Sequence, residues 1–299
     1  MQTNSSAEIP AGGALASGAL VVGVDGSPAS DRAVEWAAAR AADTGATLLI
    51  AHACGEAPVA GEVVNREEGR RLARAAGRKI AGQAAQTARA VAPDLCTEVI
   101  APLGDPRELL LELSEGASMV VVGTRGRGPI RSLLLGSVSS AVASHAHCPV
   151  VVVRAGEQED HPPRPVVAGV DCGPRSDSVL GLAFELAETE GRPLEVLHSW
   201  QVQGPVHDHR GYVWSVRERS EEERQLEEMV TLHAEKHPDV HFVRHVVEED
   251  PVAALVERSA EAALVVVGSR GRSWARSVMG SVSRAVVERA HCAVVVIRP

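Results

Sequence analysis

Two halves of this 299-residue chain repeat one another, and that duplication restricts the fold more than any other feature. VVGVDGSPASD at Val21–Asp31 returns as VAGVDCGPRSD at Val167–Asp177. Gly104-Asp105-Pro106 returns as Glu249-Asp250-Pro251, and HCPVVVVR at His147–Arg154 as HCAVVVIR at His291–Arg298. The offsets are 146, 145 and 144 residues, a drift of two across a whole domain. The reading is a tandem duplication with a proline-rich joint, DHPPRP, at Asp160–Pro165. The expected division is a leader at 1–17, a first domain at 18–156, a linker at 157–164 and a second domain at 165–299.

Within each copy, short Val/Ile/Leu runs alternate with helical segments. In the first copy the expected strands are Ala19–Val24, Ala46–Ala53, Thr97–Ala101, Met119–Gly123 and Val150–Arg154. Continuous apolar runs of this length suit strands buried on both faces, as in parallel sheets covered by helices. The expected helices are Ser30–Thr44, capped by Ser30 or Asp31 and ended by Gly45, then about Asn65–Val91, Arg107–Gly116 after Pro106, and Gly136–His145. The second copy repeats the order. The expected fold is therefore α/β: two doubly wound domains, each a five-stranded, mostly parallel sheet flanked by helices. Aromatic residues make up only 2% of the chain, so the cores must be aliphatic.

Chemistry concentrates in Met119–Val142, MVVVGTRGRGPIRSLLLGSVSSAV, and its repeat Leu264–Val287, LVVVGSRGRSWARSVMGSVSRAVV. Neither stretch holds an acidic residue, although the chain carries a net charge of -9. The first carries Arg125, Arg127 and Arg131, and the second Arg270, Arg272, Arg276 and Arg284. A positive, glycine-lined turn that runs into a helix N-terminus offers backbone N–H groups to an anion. Asp25 and Gly123 both fall at carboxyl ends of strands, where ligands of such sheets sit, and Asp25 suits ribose hydroxyls better than phosphate. The order Gly123-x-x-Gly126-x-Gly128 follows the fourth strand, unlike the dinucleotide fingerprint after a first strand, and no P-loop motif occurs.

Gly123-x2-Gly126-x9-Gly136-Ser137 resembles the ATP-binding motif of universal stress proteins. The Gly-Val-Asp-Gly-Ser start and the closing His-Cys-Pro-Val-Val-Val-Val are similar to the same family, and the resemblance spans nearly the whole chain. It implies an adenine-nucleotide-hydrolase-like, Rossmann-like fold and ATP as ligand. By that resemblance, Asp25 meets the ribose and the backbone of Ala53 meets adenine. Gly123, Gly126, Gly136, Ser137 and Val138 hold phosphates and ribose, with Arg125 beside them and Gly23 and Val122 completing the site. The corresponding set in the second copy is Gly169, Asp171, Ser199, Val267, Gly268, Arg270, Gly271, Gly280, Ser281 and Val282. There the loop departs from the pattern, with eight residues between Gly271 and Gly280 instead of nine and Trp274 within it. A second site that is altered or weaker is the expectation.

The resemblance further implies a cytoplasmic, nucleotide-dependent regulator of stress response or growth with an unknown protein partner. It also implies a homodimer through the last strands, Val150–Val153 and Val294–Ile297. The chain shows no nucleophile paired with a general base, so efficient ATP hydrolysis is not expected, while slow turnover stays open. Any Mg²⁺ would be carried by the phosphates, since the loop has no carboxylate to hold it. Two alternatives remain at this stage. One is an adenylyl-transfer or ATP-hydrolysing enzyme on the same fold, which would be expected to show Ser-Gly-Gly-x-Asp-Ser after the first strand, where this chain has Val-Asp-Gly-Ser-Pro. The other is an interaction scaffold that binds no nucleotide.

The remaining features have plainer readings. The acidic balance argues against nonspecific nucleic-acid binding, and no apolar run is long enough to cross a membrane. Residues 1–17 read as a floppy leader rather than a signal peptide. Five scattered cysteines, Cys54, Cys96, Cys148, Cys172 and Cys292, suit reduced thiols. His207-Asp208-His209 lacks further ligands at a readable spacing, so no metal site is assigned. Glu218–Glu223 with its flanking arginines reads as a solvated helix face, His52 and His198 as matched structural histidines, and Trp36 and Phe184 as packing residues.

Overall fold

The computed structural model describes residues 17–55, 66–124, 135–154, 163–200, 219–269 and 279–298. The chain forms two compact units, one from each repeat.

The first unit contains β1 (Leu20–Gly23), α1 (Pro28–Thr44), β2 (Leu48–Ala51), α2 (Arg66–Val91), β3 (Thr97–Ile100), α3 (Pro106–Leu113), β4 (Met119–Gly123), α4 (Ser137–His145) and β5 (Val150–Val153). Every strand pair is parallel, in the order β3-β2-β1-β4-β5. The second unit contains β6 (Val166–Val170), α5 (Ser176–Thr189), β7 (Leu194–Ser199), α6 (Arg219–Ala234), β8 (Phe242–Val247), α7 (Pro251–Arg258), β9 (Leu264–Gly268), α8 (Ser281–Arg289) and β10 (Ala293–Ile297). Its order, β10-β9-β6-β7-β8, is again wholly parallel. The α/β architecture expected from the apolar runs is present in both units. No described helix is long and apolar enough to cross a membrane.

The central strands are valine-rich because each is covered on both faces. In the first unit α1 packs with α2, and α3 with α4. Val21, Val22, Val120, Val121 and Val150–Val152 are fully shielded from solvent. The strands β3 and β8 lie at sheet edges and leave Val99 and Val243 exposed. Phe184 on α5 is the largest fully buried side chain among the described residues. It stacks on His233 and His237 and meets Phe242 edge-on at 5.7 Å, the packing role expected for it.

Element ends differ from the sequence expectation by a few residues, and one difference has a clear cause. Neither Ser30 nor Asp31 caps α1. Ser27 is the N-cap, its hydroxyl accepting from the Ser30 N–H at 3.3 Å. Pro28 then occupies the first turn, where its fixed φ suits the helix and its missing N–H leaves no donor unsatisfied. Ser30 instead donates its own hydroxyl to the Ser27 carbonyl at 2.9 Å. Gly45 closes α1 in the left-handed region, φ 66°, as its position suggested. Asp105 and Asp250 cap α3 and α7 ahead of Pro106 and Pro251.

Candidate functional site

Strand order places the candidate site. The chain runs β1 to β2 to β3 in one direction across the sheet, then returns to lay β4 on the other side of β1. Ligands of open parallel sheets sit at such a reversal, beyond the carboxyl ends of the two strands. In register, Val22 lies opposite Val121, and Gly23 opposite Ala51. Asp25, Ala53 and Gly123 therefore come together at one edge of β2-β1-β4, although 98 residues separate the first from the last. Asp171, Ser199 and Gly268 share the corresponding edge of β7-β6-β9.

Asp25 is half-buried, and one of its carboxylate oxygens accepts the Ser27 N–H at 3.0 Å. Gly26 turns the chain with φ 73°. Asp171 accepts the Gly173 N–H at 2.9 Å and the Ser176 hydroxyl at 3.0 Å on the same oxygen. Ser199 is also engaged, its hydroxyl donating to the Glu249 carbonyl. His52 stands between Ala51 and Ala53 with its Nδ1 2.7 Å from the Val24 carbonyl oxygen. It ties the ends of β1 and β2 together, and His198 repeats the contact with Val170 at 2.9 Å.

Beyond β4 the loop is clamped at its base. The Gly136 N–H donates to the Thr124 carbonyl at 2.8 Å, and the buried Ser139 hydroxyl donates to the Gly123 carbonyl at 2.6 Å. Gly280 and Ser283 repeat both bonds, with Ser269 and Gly268 as acceptors. Gly136 and Gly280 cap α4 and α8 with extended backbone and no side-chain hydrogen bond. By contrast, α1 and α3 carry Ser27 and Asp105 as side-chain caps. The first-turn N–H groups of α4 are thus left for another acceptor, and Ser137 beside them is exposed.

Three of the glycines have packing reasons. A Cβ on Gly123 would lie 2.6 Å from the Ala29 carbonyl oxygen, so this glycine lets α1 approach β4. A Cβ on Gly23 would lie 2.8 Å from the Leu110 side chain on the other face, and Gly169 meets Leu255 in the same way. Val122 and Val267 are buried, while Val138 and Val282 are half-buried. Arg125, Gly126, Arg270 and Gly271 lie outside the described residues. So do Gly128, Arg127, Arg131, Arg272, Trp274, Arg276 and the His207–His209 triplet.

One convergence was not legible in the sequence. Cys172, His198 and Glu222 place one ligand atom each within 4.8 Å of one another. Glu222 belongs to the charge-dense run read as a solvated face, yet its side chain is 4% exposed. The reason is its helical position. Glu222, Leu226 and Val230 follow one another at four-residue spacing, which puts them on the stripe of α6 that faces the sheet.

Comparison with known proteins bears on the family and the fold. The universal stress protein family profile matches residues 18–154 and again 163–298. A universal stress protein of Mycobacterium tuberculosis is 36% identical over 291 residues, covering 93% of this chain and 96% of its own. One of Mycobacterium bovis is 35% identical over 306 residues, covering 93% and 94%. The crystal structure of a universal stress protein from Archaeoglobus fulgidus shares the fold, with a TM-score of 0.72 at 20% identity over 94% of this chain and 98% of that one. Matched in both halves and related over almost its whole length, the chain belongs to the universal stress protein family as a tandem two-domain member.

Proposed function

We propose that this protein binds ATP at the carboxyl edge of its first sheet and acts as a nucleotide-dependent regulator of stress response or growth, without efficient catalysis. The observation that carries this reading is the meeting of Asp25, Ala53, Gly123 and the α4 N-terminus, which has no side-chain cap, at the point where strand order reverses. Phosphate oxygens would accept from the first-turn N–H groups of α4 and from the glycine-rich loop. Asp25 would accept from the ribose hydroxyls, and the backbone beside Ala53 would meet the adenine edge. Any Mg²⁺ would ride on the phosphates. The protein would act in the cytoplasm, as a homodimer and through a protein partner.

Two measurements test the reading. Denaturing the purified protein and identifying the released nucleotide by mass spectrometry should return ATP. Titration with ATP should lose all first-site binding in Gly126→Glu, where a carboxylate enters the phosphate loop. Asp25→Ala should bind about tenfold or more weakly, since a charge-assisted hydrogen bond contributes roughly 1.5–3 kcal/mol. Unchanged binding in both variants would show the site assignment to be wrong. Production of AMP and pyrophosphate at a steady rate would favour the enzyme alternative instead.

A further inference from the structure

We propose that Cys172, His198 and Glu222 form a site for a zinc-type divalent transition metal in the second unit. Three different donor types meet there: a thiol, an imidazole and a carboxylate, all within 4.8 Å. His198 Nε2 lies 3.0 Å from a Glu222 oxygen, and each side chain is only 4% exposed. Ligands of a tetrahedral zinc ion sit roughly 3.3–3.8 Å apart, given bonds of about 2.0–2.3 Å, so donors already within 4.8 Å need only a small adjustment to close on the ion. One thiolate and one imidazole among three donors select a borderline-soft metal over Mg²⁺ or Ca²⁺, which need oxygen ligands. Three protein ligands leave a fourth position for water.

The orientation of His198 is that of a ligand. Its Nδ1 is 2.9 Å from the Val170 carbonyl. That carbonyl is the outer contact by which metal-binding histidines hold a proton on Nδ1, and an arriving metal ion would replace the proton through which Nε2 meets the Glu222 carboxylate.

The first unit supplies the comparison. His52 occupies the place of His198 and makes the same carbonyl contact at 2.7 Å. Gly26 stands where the second unit has Cys172, and Gly77 stands where it has Glu222. The helix registers agree, since Gly77, Ala81, Ala85 and Ala88 are buried like Glu222, Leu226, Val230 and His233. Two glycines around a shared histidine are thus a thiol and a carboxylate in the second copy. Cys172 is the only non-glycine with positive φ, 53°, among the described residues. Glycine adopts that backbone without strain, as Gly26 does at 73°, so the β-carbon at this position is held against a local preference.

The experiment uses the full-length chain, freed of metal by chelator and kept reduced, with no nucleotide added, so its outcome does not depend on the ATP reading. Zn²⁺ affinity is measured by competition with a chromophoric chelator, and Co²⁺ is substituted to report a thiolate ligand by its charge-transfer absorption. Wild type should take up one equivalent and show the thiolate band. Cys172→Gly restores the residue of the first copy and relieves the positive φ, so it should fold at least as well. It should nonetheless lose the band and bind at least about tenfold more weakly, as should Glu222→Gln in affinity. Cys54→Ser and Cys292→Ser should leave both readouts intact. Absence of stoichiometric Zn²⁺ uptake by wild type, or a thiolate band that survives Cys172→Gly, would overturn the site.

Discussion

The hydroxyl of Ser139, in the first turn of α4, donates to the carbonyl of Gly123 at the end of β4 at 2.6 Å. This bond joins the two ends of the glycine-rich loop from inside the protein, where the hydroxyl is shielded from water. Ser139→Ala should lower stability by about 1 kcal/mol, the net contribution of a typical buried hydrogen bond. It should also weaken ATP binding, because the donors on α4 lose their fixed position relative to β4. Urea denaturation and ATP titration of the same preparation measure both effects. Unchanged affinity would show that the clamp serves the fold alone.

The close approach of α1 to β4 makes Gly123 a sensitive position. Its added Cβ would meet backbone atoms of Ala29 at 2.6 and 2.7 Å, and backbone moves less readily than a side-chain end. Gly123→Ala should therefore destabilise the protein by about 1–3 kcal/mol, in the range of core overpacking. Chemical denaturation should show a lower midpoint with an unchanged slope. A midpoint equal to wild type would mean that α1 slides away without resistance.

The two edges proposed to bind nucleotide should differ in affinity within the intact chain. Asp171 already accepts two hydrogen bonds on one oxygen, and the loop that follows β9 is one residue shorter than its counterpart. In calorimetric titration of the full-length protein, Asp25→Ala should remove the tighter phase, whereas Asp171→Ala should leave it in place. Equal losses in the two variants would contradict the asymmetry.

The thiols should react in an order set by burial. Burial pushes the Cys148 thiol up to about 11, whereas Cys96 is exposed. Near neutral pH Cys148 therefore supplies very little thiolate, the reactive form. Time-resolved alkylation of the native protein, read by peptide mass spectrometry, should label Cys96 first and Cys148 among the last. Early labelling of Cys148 would indicate frequent opening of the β5 end of the first unit.

Stability should fall on mild acidification, with part of the slope carried by His245. Burial first, then the neighbouring Arg258 guanidinium, holds its pKa below the ordinary 6.5, against the opposing pull of Glu195. The folded state thus binds its proton less readily than the unfolded chain. Its contribution is fully present above about pH 6.5 and is lost as pH falls from there through the lower folded value. His245→Gln should flatten that part of the curve. Denaturation at a series of pH values from neutral to mildly acidic measures the difference, and identical slopes would refute it.

The fold was largely legible because its signal is repeated and local. Valine runs of strand length and the Gly-Ser pairs at the starts of α4 and α8 depend only on neighbouring residues, and offsets near 145 present each of them twice. The cap of α1 was missed by three residues because several side chains near Pro28 can accept a backbone N–H, and the turn at Gly26 selects among them. The reading of Glu222 as solvated failed because charge density ignores helical phase, and phase decides which member of a charged run faces the sheet.

By itself the sequence determined the duplication, the parallel α/β class and the aliphatic cores, since each follows from composition, internal repetition or short-range periodicity. Tertiary structure alone decided which distant residues meet. The reversal of strand order brings Asp25 to Gly123, close helix packing gives Gly23 and Gly123 their reason, and the pairing of β6 with β7 beneath α6 gathers Cys172, His198 and Glu222. Those meetings depend on strand register and helix phase, and neither is written at any single position of the chain.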